Sequence, residues 1–324
     1  EMCIRDSCLT QRYGVEVAKQ VPGIDGILGT RRWMDIAMLV NKLRASKHPE
    51  PIYHLPSDAT IGTDERGAIR ASVAGASSYL KIADGCRRPC AFCAIPLIKG
   101  TLVSRPMDTI IAEARELYEI GTRELILIAQ DTTDYLHDQG VKNGLTSLLM
   151  RLNNEVPEID WVRIMYSFPG YVTDEQIDLM ASSKQVLPYL DIPLQHASNN
   201  VLTRMKRPAN MDWVYRTVEK MRNRIPNLAI RTTFIVGYPG ETDSEFEQLL
   251  KFVQDMRFDR VGAFQFSFEP GTSSEPLGDD VPKEVKQERW ERLMEAQQNI
   301  SLQINQGFVG KTLDVLVEGF DNGI

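Results

Sequence analysis

Residues 78–100 read SYLKIADGCRRPCAFCAIPLIKG. The opening SYLKIAD (78–84) is a short, largely apolar segment of the kind that forms a buried strand. Cys86, Cys90 and Cys93 follow it at once, in the spacing CxxxCxxC. A strand running straight into three metal-ligating side chains puts them at the C-terminal edge of a sheet, where α/β folds carry their chemistry. The same strand signal returns at ELILIAQ (124–130), WVRIMYS (161–167), LPYLDIP (187–193), AIRTTFIV (229–236) and RVGAFQFS (260–267). Helical periodicity fills the gaps, most clearly in Met107, Ile110, Ile111, Ala114, Leu117 and Tyr118. Thr173 with Gln176, and Thr242 with Glu245, read as capping boxes. Such alternation implies a parallel sheet with crossover helices. Periodicity alone leaves an open doubly wound sheet and an incomplete barrel both standing.

The flanks read differently. Residues 1–7, EMCIRDS, follow no regular pattern; from Cys8 the text becomes a short loop, a helix and a strand over Gly26–Leu28. A second helix is expected over Trp33–Leu43, with Ile36, Leu39, Val40 and Leu43 on one face. Residues 46–66 hold Pro49, Pro51 and Pro56 without periodicity and read as a linker. Near the other end a long helix is expected over Pro282–Asn305, its inner face made by Val285, Leu293, Ala296, Ile300 and Ile304. KTLDVLVEGFDNGI (311–324) then alternates like a strand that has nothing to pair with, so the chain is expected to stop inside a further domain.

Composition sets the broad class. Of the 324 residues, 43% are hydrophobic and 25% charged, the balance of a folded globular chain rather than a disordered one. Lys and Arg number 37 against 44 Asp and Glu, a net charge of -7 that weighs against a nucleic-acid binder and against DNA as a partner. No apolar run approaches the roughly 18 residues of a membrane span, and no signal peptide opens the chain. A cytoplasmic enzyme with no membrane partner is the expectation. The five cysteines, an odd number without a secretory signal, argue against a disulfide scaffold.

Three closely spaced thiolates can grip three irons of a 4Fe-4S cube and leave the fourth without a protein ligand. An open metal position marks a catalytic rather than a structural site. The alternative is a non-catalytic metal-binding protein, with zinc the commonest structural ion; zinc asks for a fourth ligand, and no further Cys or His lies within thirty residues on either side. Between Cys86 and Met107 there is no Asp or Glu but there are Arg87, Arg88, Lys99 and Arg105. These cations suit a negatively charged cluster, or else a basic, solvated loop.

CxxxCxxC after the first strand, with Phe92 just before the last cysteine, resembles the radical S-adenosylmethionine (SAM) superfamily. The resemblance implies that the open iron chelates the methionyl amine and carboxylate of SAM, and that reduction cleaves SAM to a 5′-deoxyadenosyl radical. CLTQRYG (8–14), IPLIKGTLVSRP (95–106), AQDTT (129–133), PLQHASNNVLTRMKRP (193–208) and IVGYPGET (235–242) further resemble the methylthiotransferase family. AQDTT and PLQHAS are similar to the branch that modifies a small-subunit ribosomal protein, more than to the branch that modifies tRNA adenosine.

This resemblance has specific implications. The fold would be an α/β partial (β/α)6 TIM-like barrel over 67–305. An N-terminal α/β methylthiotransferase domain, incomplete, would precede it over 1–66, and the start of a TRAM β-barrel would come after it over 306–324. The reaction would be methylthiolation of an aspartate β-carbon in ribosomal protein twelve of the small subunit. Its partners would be that protein, SAM and an electron donor that the sequence leaves unspecified. Intact members carry a second 4Fe-4S cluster on three cysteines of the leading domain, of which Cys8 matches one and Cys3 none. The chain as written is therefore expected to bind the first cluster and cleave SAM without completing methylthiolation.

By the same resemblance Gln130 and Asp131 would meet the methionyl amine, although Asp131 could equally cap the next loop. Ser167 and Gln195 share that rim. His196 reads as a hydrogen-bonded loop histidine, not a metal ligand. Arg207 would bind the SAM carboxylate or merely finish a short helix. Gly237, Gly240 and Glu241 would form the SAM-contacting turn, its N–H groups open to an anion, or simply the geometry of a strand-to-helix turn. Trp161, Met165, Phe264 and Phe266 read as core.

Overall fold

The period-2 segments of the sequence pair in the order in which they occur. In the computed structural model, which describes residues 3–45, 50–57 and 75–319, six strands form one sheet: β1 Ser77–Lys81, β2 Glu124–Ile128, β3 Trp161–Ile164, β4 Val186–Asp191, β5 Ala229–Val236 and β6 Arg260–Gln265. They lie side by side in sequence order and every pairing is parallel. A doubly wound sheet reverses its strand order at a switch point. No reversal occurs here, so the same-handed crossovers leave all helices on one side, and the sheet curls into an open barrel. Those helices are α1 Met107–Glu119, α2 Gly144–Glu155, α3 Asp174–Ser182, α4 Met211–Arg224, α5 Asp243–Met256 and α6 Lys283–Gln306. Strands β1 and β6 are not paired with each other.

Alternation along β5 shows how the layers divide. Ile230, Thr232, Phe234 and Val236 are buried toward the helices. There Phe234, Phe252 and Phe258 meet ring to ring with centroids 5.6–6.2 Å apart. Burying each such ring contributes about 1.5–3 kcal/mol, and truncating Phe252 to Ala would cost about 3–5 kcal/mol. Thr233 and Ile235 face the other way, into the lumen, beside Gly262 and Phe264 of β6. Phe264 is therefore 60% exposed and lines the lumen instead of the core. Phe266 is buried as expected, while Trp161 and Met165 are only half-buried.

Several local readings are corrected. The expected strand over 78–84 divides: β1 ends at Lys81, and Ala83–Asp84 turns away to pair antiparallel with Val103–Ser104. Thr242 and Glu245 make a complete capping box. Thr173 accepts from the Gln176 N–H at 3.2 Å, but the return bond is missing because the Gln176 side chain is buried. The helix expected over Trp33–Leu43 begins as a 3₁₀ turn, Thr30–Asp35, and becomes α-helical over Ile36–Ala45. Leu39 and Leu43 are buried, whereas Ile36 and Trp33 are exposed.

Residues 4–7 are not irregular; Ile4–Ser7 is a strand parallel to Gly26–Gly29, which pairs in turn with Ile52–His54. Pairing is a backbone property, and IRDS carries no apolar alternation to announce it. The Cys3 N–H donates to the Asp25 carboxylate at 2.7 Å, and the Asp25 N–H returns a bond to the Cys3 carbonyl at 2.8 Å. The linker reading thus fails at Ile52–His54, while its parts at 46–49 and 58–66 lie outside the described residues. The strand expected from 311 does not form over 311–319. A strand needs a neighbour to satisfy its backbone; here Glu318 instead accepts from the Ala76 N–H at 3.0 Å. Residues 320–324 lie outside the described residues.

The three-stranded leading unit rests on the C-terminal rim of the barrel. Arg12 pairs with Glu269 at 3.0 Å, and Tyr13 donates to the same carboxylate at 2.9 Å. Arg31 Nε donates to the Ile98 carbonyl at 2.8 Å, and Lys99 Nζ to Thr30 Oγ1 at 2.8 Å.

Candidate active site

The cysteine loop is built by a turn that only glycine permits and by three stitches to the barrel. Gly85 has φ +75°, and a Cβ there would lie 2.0 Å from the Thr101 carbonyl oxygen; the left-handed region alone costs another residue about 1–2 kcal/mol. The Cys86 N–H donates to the Gly100 carbonyl at 3.1 Å, which closes the base of the loop. Mid-loop, the Ala91 N–H donates to the Met205 carbonyl at 2.9 Å and the Ala91 carbonyl accepts from the Ser274 N–H at 2.8 Å. The loop is thereby tied to the segments after β4 and β6. The short helix Ile95–Lys99 comes directly after Cys93 and meets the leading unit.

Each sulfur has an N–H beside it. The Arg88 N–H lies 3.4 Å from Cys86 Sγ, the Ile95 N–H faces Cys93, and Arg207 Nη1 lies 3.5 Å from Cys90 Sγ. Burial pushes the Cys86 thiol up to about 11 and the Cys93 thiol upward as well, so thiolates here call for an iron counter-charge. Among the described residues no three His, Cys, Asp or Glu side chains converge as ligands of a single ion. A cube is gripped one thiolate per iron and does not require that convergence.

The loop's own cations are not available to a cluster, contrary to the expectation from the sequence. Arg87 forms a two-pronged pair with Asp134 at 2.5 and 2.7 Å. Arg88 donates to Asp131 at 2.6 Å and reaches Asp134 at 3.3 Å. Lys99 meets Asp84 at 3.0 Å, and Arg105 meets Glu113 at 2.7 Å. The neutralising carboxylates lie either before Cys86 or after Met107, outside the interval that looked purely basic. Burial pulls the Arg88 guanidinium down, but Asp131 more than offsets it. Arg207, itself buried, pairs with no carboxylate among the described residues. Its Nη2 donates to the Pro193 carbonyl, and its guanidinium stacks 4.0 Å from the centroid of Phe168. Arg88 covers the same ring at 4.6 Å and Tyr171 at 3.7 Å.

The remaining expected residues fall into two groups. Gln130, Ser167 and Gln195 come after β2, β3 and β4, and Gln130 Oε1, Ser167 Oγ and Gln195 Oε1 are buried without a hydrogen-bond partner. Buried polar atoms are rarely left so, and atoms from successive strand ends are placed as a polar ligand would need them. Gln195 also lines, with Phe92, Thr233, Ile235, Phe264 and Phe266, a lumen cavity of about 280 Å³. Behind Phe92 lie buried Val201, Met205, Tyr238 and Phe266.

The second group is already occupied. Asp131 caps the 3₁₀ turn Thr132–Asp134 by accepting from the Thr133 N–H at 3.0 Å, besides holding Arg88. Glu241 accepts from the Gly237 N–H at 3.0 Å and from Arg289 at 2.8 Å. Its Oε2 also lies 3.2 Å from His196 Nε2, without the alignment of a hydrogen bond. The other ring nitrogen of His196 accepts from the Ser198 N–H at 3.0 Å, which leaves the proton on Nε2, toward Glu241. The Gly240 N–H donates to Asp280 at 2.9 Å and the Thr242 N–H to Glu245 at 2.9 Å. The turn's N–H groups are therefore not open to an anion as its sequence suggested. Arg289 and Lys286, buried on the inner face of α6, were missed because charge at those positions breaks the apolar period. Met205, Phe168 and the Asp134 partner of Arg87 were missed for another reason: no local pattern marks a contact across forty or more residues.

Cys8 begins the helix Cys8–Gln20 and is exposed. It sits one helical turn before Arg12, on the face that turns to the barrel rim.

Residues 80–253 match the radical SAM superfamily model. The chain is 44% identical over 327 residues to the ribosomal protein uS12 methylthiotransferase RimO of Chloroflexus aurantiacus, covering 98% of this chain and 72% of that protein. The protein of the same name from a Roseiflexus species is 42% identical over 328 residues, covering 96% and 69%. Among solved structures, the radical SAM methyltransferase TsrM of Kitasatospora setae, with cobalamin and a [4Fe-4S] cluster bound, superposes with a TM-score of 0.52. It shares 16% identity over 62% of this chain and 39% of that one, which speaks to the barrel fold alone.

Proposed function

Because the chain belongs to the methylthiotransferase family within the radical SAM superfamily, we propose that it adds a methylthio group to the β-carbon of an aspartate in ribosomal protein uS12. The carrying observation is the identity to uS12 methylthiotransferases along nearly the whole chain. A 4Fe-4S cluster bound here would supply the electron for reductive cleavage of SAM. Cys86, Cys90 and Cys93 would hold it, and the N–H groups beside their sulfurs would support thiolate charge. Gln130, Ser167 and Gln195 offer their unpartnered oxygens to the methionyl ammonium of SAM. Phe92, packed on the apolar group behind it, gives the lumen an apolar wall beside the cysteine loop. Asp131 serves by fixing Arg88, and hence the loop between Cys86 and Cys90. Gly237, Gly240 and Glu241 shape the wall beside SAM through the backbone, with Glu241 bracing the turn.

The finer assignments rest on the same reading. Cys8, exposed at the start of the helix that docks on the barrel rim, would be one ligand of a second 4Fe-4S cluster. Residues 1–66 belong to the methylthiotransferase domain, 67–305 to the barrel and 306–324 to the start of a TRAM domain. No helix among the described residues is long and apolar enough to cross a membrane; a ribosomal substrate puts the reaction in the cytoplasm.

Anaerobic reconstitution with iron and sulfide, then reduction with SAM, should give a brown protein that releases 5′-deoxyadenosine. Colourless protein holding zinc and no nucleoside product would reject the radical reading. Mass spectrometry of uS12 and of tRNA after incubation with the reconstituted protein, SAM and reductant separates the branches. Methylthio incorporation into tRNA alone would overturn the uS12 assignment.

A further inference from the structure

The three sulfurs of the loop are not equivalent. Cys86 and Cys93 face neutral backbone N–H groups, whereas Cys90 faces the guanidinium of Arg207, at 3.5 Å. The basic residues of the loop are each neutralised by a carboxylate, but Arg207 meets none among the described residues. Its position is fixed from several sides. The Pro193 carbonyl takes Nη2, Phe168 supports the guanidinium face, and only 8% of the residue is exposed. A guanidinium so buried keeps an unscreened charge, and its Nε has no partner at all.

On the reading that Cys86, Cys90 and Cys93 hold a 4Fe-4S cluster, we propose that Arg207 is a positioning residue that sets the cluster's reduction potential by donating a charged hydrogen bond to Cys90 Sγ. Reduction adds one electron to a cluster that its thiolates already make negative. A fixed positive charge at one ligand sulfur favours the more negative, reduced form and raises the potential, which eases reduction of the cluster by its electron donor and lessens the driving force with which the reduced cluster passes that electron to SAM. Hydrogen bonds to ligand sulfurs and local charge are the levers by which a protein moves such potentials.

The test is a redox titration, monitored by electron paramagnetic resonance, of anaerobically reconstituted protein without SAM. The wild type is compared with Arg207→Gln and Arg207→Lys. Glutamine removes the charge, so its midpoint should move to more negative potential. Lysine keeps the charge but cannot hold Pro193 and Cys90 together, so its midpoint should fall between the two. A midpoint equal to that of the wild type in whichever variant loads a cluster would overturn the proposal. So would a shift seen only after SAM is added, which would assign Arg207 to the SAM carboxylate instead. If neither variant takes up iron while circular dichroism and melting stay unchanged, Arg207 assembles the site and does not tune it, and the proposal fails. A wild-type protein that loads no cluster would refute the underlying functional reading instead, so the two failures are distinguishable.

Discussion

The cysteine loop after β1 and the glycine turn after β5 occupy equivalent places in the barrel, each just beyond the C-terminal end of a strand, yet they differ in the groups they leave unspent. In the turn, Glu241, Asp280 and Glu245 take the N–H groups of Gly237, Gly240 and Thr242. Around the loop, three thiols stand together beside N–H donors, and oxygens from three neighbouring strand ends are buried without partners. A motif's residue types announce that a segment is special. The unsatisfied groups tell whether it is special for a ligand or for the fold.

That contrast can be broken by substitution. Replacing Cys86, Cys90 or Cys93 by Ala should abolish both the cluster's absorbance and 5′-deoxyadenosine release, with little change in the melting of the cluster-free protein. Glu241→Ala should do the reverse. It takes from Arg289 its buried carboxylate and leaves it the exposed Asp243, and should lower apo-protein stability by about 1–3 kcal/mol in urea denaturation, with SAM affinity of the folded fraction preserved. Weakened SAM binding at unchanged stability would reassign the turn. Gly85→Ala lies between these extremes. It should cost about 1–3 kcal/mol through backbone strain, and its clash with Thr101 should also lower the iron bound per chain. The smallest effect is expected from Ser167→Ala, which removes a buried hydroxyl oxygen that has no partner. Melting should hold steady or rise, while SAM binds several-fold more weakly, the equivalent of about 1 kcal/mol; unchanged affinity by calorimetry would exclude Ser167 from the site.

Legibility in the sequence divides along the same line. The six strands and their helices were legible because each carries its own period, and CxxxCxxC because its ligands are neighbours in the chain. Arg88 with Asp131 and Arg87 with Asp134 were not, since each pair is more than forty positions apart. The basic interval thus seemed free when it was already neutralised. Ile4–Ser7 escaped notice because its pairing partner, not its side chains, makes it a strand. The opposite error, at 311–319, came from alternation that finds no partner. Phe264 was misplaced because period alone does not distinguish the two faces of a strand, and here one of them is an open lumen.

The unpaired edges of β1 and β6 give the barrel the mechanics of a split ring rather than a hoop. A hoop of fixed strand number and stagger has its radius set by closure, and whatever reaches its interior must come in over the top. A split ring can spread at the gap by bending between strands, without breaking one hydrogen bond of the sheet. The width of its lumen is therefore set by what packs against the two free edges, Glu318 at the start of β1 and the last helix along β6, and not by the sheet itself.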